Sequence, residues 1–155
     1  MISRSKLAMA AAVAILAVAA LSSAVSATPP SGQTPSDLAV GTLSTITQVN
    51  TDRIKFQTKG DVDVAVFNVT YAACGYSGWH THPGVVFVVV KSGSVVRTVG
   101  CESWTYAAGQ SFVESDEQGP GQVQNASTTV PAVLGVTQIV PKGSVRRVEA
   151  DPPSC

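Results

Sequence analysis

From Leu38 to Glu149 the chain is a succession of short apolar runs cut by Gly, Asn, Asp and Pro. The runs are "TLSTITQV", "RIKFQT", "DVAVFNVT", "VVFVVV", "SVVRTV", "SFVES", "AVLGVTQIV" and "SVRRV". Segments of this length, rich in branched and aromatic residues, form strands, and their spacing is that of an all-β sandwich or barrel. Asn50-Thr51-Asp52, Lys59-Gly60-Asp61, Lys91-Ser92-Gly93 and Pro141-Lys142-Gly143 stand where the chain must reverse. After residue 27 no segment of the sequence holds a helical period, and no repeat or second domain is visible. Val85 to Val90 is apolar at every position, which predicts a central strand covered on both faces.

The amino-terminal pattern is different. Arg4 and Lys6 precede an apolar stretch from Leu7 to Leu21, and Val25-Ser26-Ala27 has the small-x-small form of a cleavage site. Residues 1–27 therefore read as an export signal, short for a membrane span of about 20 residues. An uncleaved anchor is the alternative. Residues 28–37, "TPPSGQTPSD", have no apolar period and predict a flexible arm. The folded unit is then 38–149, followed by a tail, 150–155. The expected location is secreted, periplasmic or at the cell envelope, with no stable membrane span once the signal is cut.

Cleavage would remove two of the ten Lys and Arg and none of the ten Asp and Glu, taking the formal charge from 0 to −2. With no basic run or stripe, nucleic acid is excluded as a partner. Three cysteines, Cys74, Cys101 and Cys155, in an oxidising compartment imply one disulfide and one thiol left over. Cys101 with Cys155 is favoured because it ties down a terminus that would otherwise fray. Cys74 with Cys101 is the competing pairing. A catalytic thiol at Cys74 has little support, since no basic residue lies close in sequence. No phosphate loop, serine nucleophile elbow or Cys-x-x-Cys pair occurs.

The candidate chemistry is in "CGYSGWHTHPGVVFVVVKSG", residues 74–93, which holds both histidines of the chain. On a strand, His80 and His82 project from one face and can converge on one ion. Imidazole suits Zn, Fe, Mn, Ni or Cu. The competing reading is two hydrogen-bonded histidines at a strand end, without metal.

Gly75, Trp79, His80, His82, Pro83 and Gly93, followed by "YAAGQSFVE" at 106–114 and by Asn125, resemble the two motifs of the cupin superfamily. The nearest likeness is to small exported single-domain cupins with a "GWHxHPG" core. The resemblance covers residues 40–148 and implies a jelly-roll barrel with a divalent metal inside. It implies two histidines and a glutamate from the first motif and a third histidine from the second. His80 and His82 match the pair. The glutamate position is Val86 and the third histidine position is Gly121, so two of the four usual ligands are missing.

Glu114 is the best substitute, because a carboxylate supplies negative charge, and Gln118, Gln122 and Gln124 lie in the altered loop, with Gln122 the second choice. Trp79, Phe87 and Phe112 are the large apolar residues near the motifs, either lining a substrate pocket or filling the core. The resemblance leaves two functions open. One is a divalent metal site that binds or acts on a small molecule. The other is a metal-free barrel used as a ligand-binding or structural module of the envelope. Family members often pair through exposed strands, so a homodimer is also expected. The sequence does not choose between enzyme and binding protein.

Overall fold

The computed structural model describes residues 27–155, so the export signal read in residues 1–27 lies outside the described residues but for Ala27. One wall of the molecule is built from β1 (Ser31–Leu43), β4 (Val62–Tyr76), β11 (Ala132–Pro141), β6 (Val85–Ser92) and β9 (Ser111–Ser115). They are neighbours in that order and antiparallel throughout. The opposite wall is β8 (Glu102–Ala107), β7 (Ser94–Val99), β10 (Gly121–Asn125), β5 (His80–Thr81) and β12 (Val148–Glu149). β4 joins the two walls where its last residue, Tyr76, pairs with Gln124. The outcome is an all-β, nearly closed antiparallel barrel of the jelly-roll type. β2 (Gln48–Asn50) and β3 (Lys55–Gln57) form a separate hairpin.

The period of two sets the interior. Along β11, Ala132, Leu134, Val136, Gln138 and Val140 are buried and the residues between them are half-exposed. Ala132, Leu134 and Val136 meet Val86, Val88 and Val90 of β6, Val69 and Tyr71 of β4, and Phe112 of β9 in one core. Each valine, leucine or phenylalanine among them contributes about 1.5–3 kcal/mol of burial.

Several expectations are corrected. Val85 to Val90 is not covered on both faces: Val86, Val88 and Val90 are buried, but Phe87 is 43% and Val89 47% exposed. A barrel wall has one interior, and nothing among the described residues packs over the outer side of β6. Residues 31–37, read as part of a flexible arm, are the first half of β1, and they pair with β4 from Ser31↔Tyr76 to Ser36↔Asn68. β1 is exposed along nearly its whole length, so its backbone pairing leaves no apolar period in the sequence. The same holds for "ESWTYA", which is β8, whereas "GQVQN", read as part of a loop, is β10 with Gly121, Val123 and Asn125 turned inward. Of "SVRRV" only Val148 is in a strand.

Cys101, in the turn between β7 and β8, is bonded to Cys155, with 5.8 Å between their Cα atoms. The carboxyl-terminal tail is thereby tied to the barrel. Cys74 is unpaired and exposed. Among the described residues no helix is long and apolar enough to cross a membrane.

Candidate metal centre

His80 and His82 reach the barrel interior from either end of the short β5 pairing. Gly78 makes this turn with φ +69°, and a Cβ there would stand 1.9 Å from the Thr28 carbonyl oxygen, so only glycine fits. The Gly78 carbonyl accepts a hydrogen bond from His80 Nδ1 at 2.9 Å, and the Arg146 carbonyl accepts one from His82 Nδ1 at 2.7 Å. A carbonyl only accepts, so His80 carries its proton on Nδ1 and presents the lone pair of Nε2, and the Arg146 carbonyl favours the same tautomer of His82. The rings stand edge to face, with centroids 4.7 Å apart.

Glu114 comes from β9, where it pairs directly with Val86 of β6. Directly opposite residues share a face. The carboxylate therefore enters the cavity beside the very position that the resemblance would give to a glutamate. Its Oε2 lies 3.4 Å from His82 Nε2, and its Oε1 lies 3.6 Å from Arg97 Nε. One donor atom each from His80, His82 and Glu114 lie within 4.8 Å of one another. This set of two imidazoles and a carboxylate fits zinc or a non-haem iron type of centre.

Gly121, at the third-histidine position, pairs with His80 across β10 and β5. A Cβ there would press on the Thr98 carbonyl at 3.2 Å. Gln122 is half-exposed in the alternation that turns Gly121, Val123 and Asn125 inward, and it does not line the cavity. Gln118 is engaged elsewhere, accepting from Arg97 Nη2 at 2.7 Å. Phe112 lines the cavity, whereas Phe87 faces outward and half-buried Trp79 does not reach it. Cys74 does not line it either.

Three polar residues that the sequence reading passed over complete the site. Gln138, 2% exposed on β11, donates from Nε2 to the Arg146 carbonyl and stands 2.9 Å from His82 Nδ1. Arg97, buried on β7, lies over the Phe112 ring at 5.6 Å, and its Nε is the one buried side-chain polar atom without a hydrogen bond among the described residues. Arg147 donates to both oxygens of Glu149 and to the Ser77 carbonyl, the latter at 2.7 Å. The first two carried a signal: each is a polar residue at an inward position of an otherwise apolar strand.

Burial dominates the electrostatics. It pushes the His80 imidazole down to about 4 against the opposing pull of Glu114, with Arg147 adding to the depression. His80 is therefore neutral at neutral pH. Burial acts to raise the Glu114 carboxyl, but His82, His80 and Arg97 together outweigh it and hold Glu114 below the usual carboxylate range. Tyr71, in the cavity wall, is driven well above its ordinary value, chiefly by burial, and stays a neutral phenol. The space these residues enclose is about 220 Å³, walled mainly by Val69, Val88, Phe112, Leu134 and Val136.

No family model matches the sequence, and no curated protein matches it. Solved structures do match. A Cupin_2 domain of an XRE-family transcriptional regulator from Enterobacter cloacae aligns over 50% of this chain and 80% of its own, at 21% identity and a TM-score of 0.43. A double-stranded β-helix protein from Klebsiella pneumoniae subsp. pneumoniae aligns over 57% and 75%, at 16% identity and a TM-score of 0.48. The chain is similar to cupin-domain proteins. An oxalate oxidase in complex with the substrate analogue glycolate also aligns, at 19% identity and a TM-score of 0.47, covering 56% of this chain but only 46% of that one. At these identities the likeness concerns the fold alone, and the chemistry of the centre rests on its own residues.

Proposed function

We propose that the barrel holds a divalent first-row metal ion on His80, His82 and Glu114 and presents it to a small molecule in the cavity. The observation that carries this reading is the orientation of the donors. Both histidines turn Nδ1 to backbone carbonyls, which favours Nε2 as the free donor, and one donor atom from each histidine and from Glu114 lie within 4.8 Å of one another. Such outer hydrogen bonds fix tautomer and ring plane in metal sites. Arg97 faces Oε1 of Glu114 and leaves Oε2 toward the histidines, which favours a one-oxygen contact. A bound ion would act as a Lewis acid, with open positions beyond its three protein ligands. The protein's own part is to orient the donors, keep His80 unprotonated and exclude water with the apolar wall.

Titration of metal-free protein with Zn(II) tests this. Binding of about one ion per chain, weakened at least about tenfold in Glu114→Ala and abolished in His80→Ala, supports it. Trace binding unaffected by either change contradicts it.

A second reading has an observation of its own. Arg97 already gives Glu114 a buried cation partner, so the carboxylate is stabilised without metal, as a metal-free binding barrel requires. Melting that is indifferent to chelator and to added ions would favour it.

Two wider proposals follow. Export is supported by the Cys101–Cys155 disulfide, which belongs to oxidising compartments. Homodimer formation is supported by Val66, Phe87 and Val113, exposed and in one cross-strand row through Thr137. Sedimentation of wild type and Phe87→Glu would test it, with a shift to monomer expected in the variant.

A further inference from the structure

The polar end of the cavity carries a charge imbalance that the metal site leaves unused. Arg146 and Arg147 line it with Glu114, and behind them Arg97 faces Glu114 while Glu149 holds Arg147. Arg97 has Glu114 and Gln118, and Arg147 is held by both oxygens of Glu149. Arg146 differs. Its carbonyl accepts from His82 and Gln138, but its side chain has neither ion pair nor hydrogen bond among the described residues. It lines the cavity and also the outer recess beside Pro35, Asp37 and Phe67, so it stands at the mouth. Asp37 shares that recess but is engaged by Asn68 and Ser36.

A divalent ion on the three donors would add two more positive charges to this end. The rest of the cavity is apolar. A half-open cavity with a net positive end and hydrocarbon walls favours a ligand with one anionic group and an apolar body. Arg146 is exposed at the mouth, so a neutral ligand gains nothing from its guanidinium while an anionic one does, and a second anionic group would have to be buried against valine and leucine.

We propose that the ligand class is a small monocarboxylic acid with an apolar body, its carboxylate set between Arg146 and the His80, His82 and Glu114 end. A carboxylate matches the guanidinium fork with two parallel hydrogen bonds, and its oxygen suits an open metal position. The inference rests on the metal reading for that second contact. The volume of about 220 Å³ lies below the usual range for drug-sized ligands and limits the body to the scale of a single ring.

The test is calorimetric titration of the Zn(II)-loaded mature protein with benzoate, benzamide and benzyl alcohol, in wild type and in Arg146→Gln. The substitution keeps the carbonyl that orients His82, and Zn(II) affinity is measured on the same samples. The expected result is benzoate bound at least about tenfold more tightly than either neutral probe, or roughly 1.4 kcal/mol, with the preference lost in Arg146→Gln while Zn(II) still binds. Equal binding of the three probes, or a preference that survives in Arg146→Gln, overturns the inference and leaves the metal site standing. Failure of Zn(II) to bind overturns the metal reading instead. The comparison then moves to metal-free protein, where an Arg146-dependent benzoate preference still supports the ligand class and its absence overturns it.

Discussion

Acidifying the metal-free protein should destabilise it through His80. The imidazole is buried and its pKa is pushed from 6.5 to about 4 in the fold. Between those values the unfolded chain binds a proton that the native state refuses, so stability rises with pH across that window. The His80 contribution is fully present above pH 6.5 and is lost as pH falls toward 4. From pH 7.5 to 4.5 the loss from this group is about 2.5 kcal/mol. The carboxylates held low in the fold, Glu114, Glu149, Asp37 and Asp63, act in the same direction but mainly below pH 4.5. Urea unfolding of chelator-treated protein at half-unit steps would measure the slope, with His80→Asn as the reference. The wild type should lose about 2.5 kcal/mol more than the variant over this range. Equal slopes would refute the claim that burial holds His80 neutral.

Arg97→Met should destabilise the metal-free protein by about 3–5 kcal/mol, because it leaves Glu114 buried without its cation. Added Zn(II) should then raise the melting temperature more in the variant than in wild type, since a competing positive charge has gone. An equal rise in both would argue against a shared Glu114. Gly84→Ala should cost more than about 3 kcal/mol, because its Cβ would stand 2.0 Å from the Ile139 carbonyl oxygen and force the chain after His82 away from β11. Gly60→Ala, with nothing within 4 Å, is the control, and urea midpoints compare them. Cys101→Ser with Cys155→Ser frees a span of 54 residues worth about 4 kcal/mol in the chain-entropy model. The melting temperature should fall by roughly 10–20 °C, and a fall of only a few degrees would show that the tail adds little.

The strands legible in the sequence are those with one apolar face, such as β7 and β11. β1, β8 and β10 escaped because pairing through the backbone needs no apolar side chain, and β1 and β8 are exposed nearly throughout. The uniform apolar run of β6 misled in the opposite sense, since apolar composition says nothing about which face is covered. His80 and His82 were legible from their spacing. Glu114 was named as a substitute, but its place depends on the register Val86↔Glu114, which only the fold supplies. Gln138 and Arg97 were visible as inward polar residues in apolar strands. Arg146 and Arg147 were not, because they follow no regular strand and are placed by the return of the chain past His82.

The metal ion proposed on His80, His82 and Glu114 is open to direct assay. Elemental analysis of mature protein, exported and purified without chelator or a histidine tag, tests it most directly beside the His80→Ala/His82→Ala double variant. Close to one zinc, iron, manganese, nickel or copper per chain is expected in the first and none in the second. Wild-type protein that is empty and also refuses added metal would contradict it.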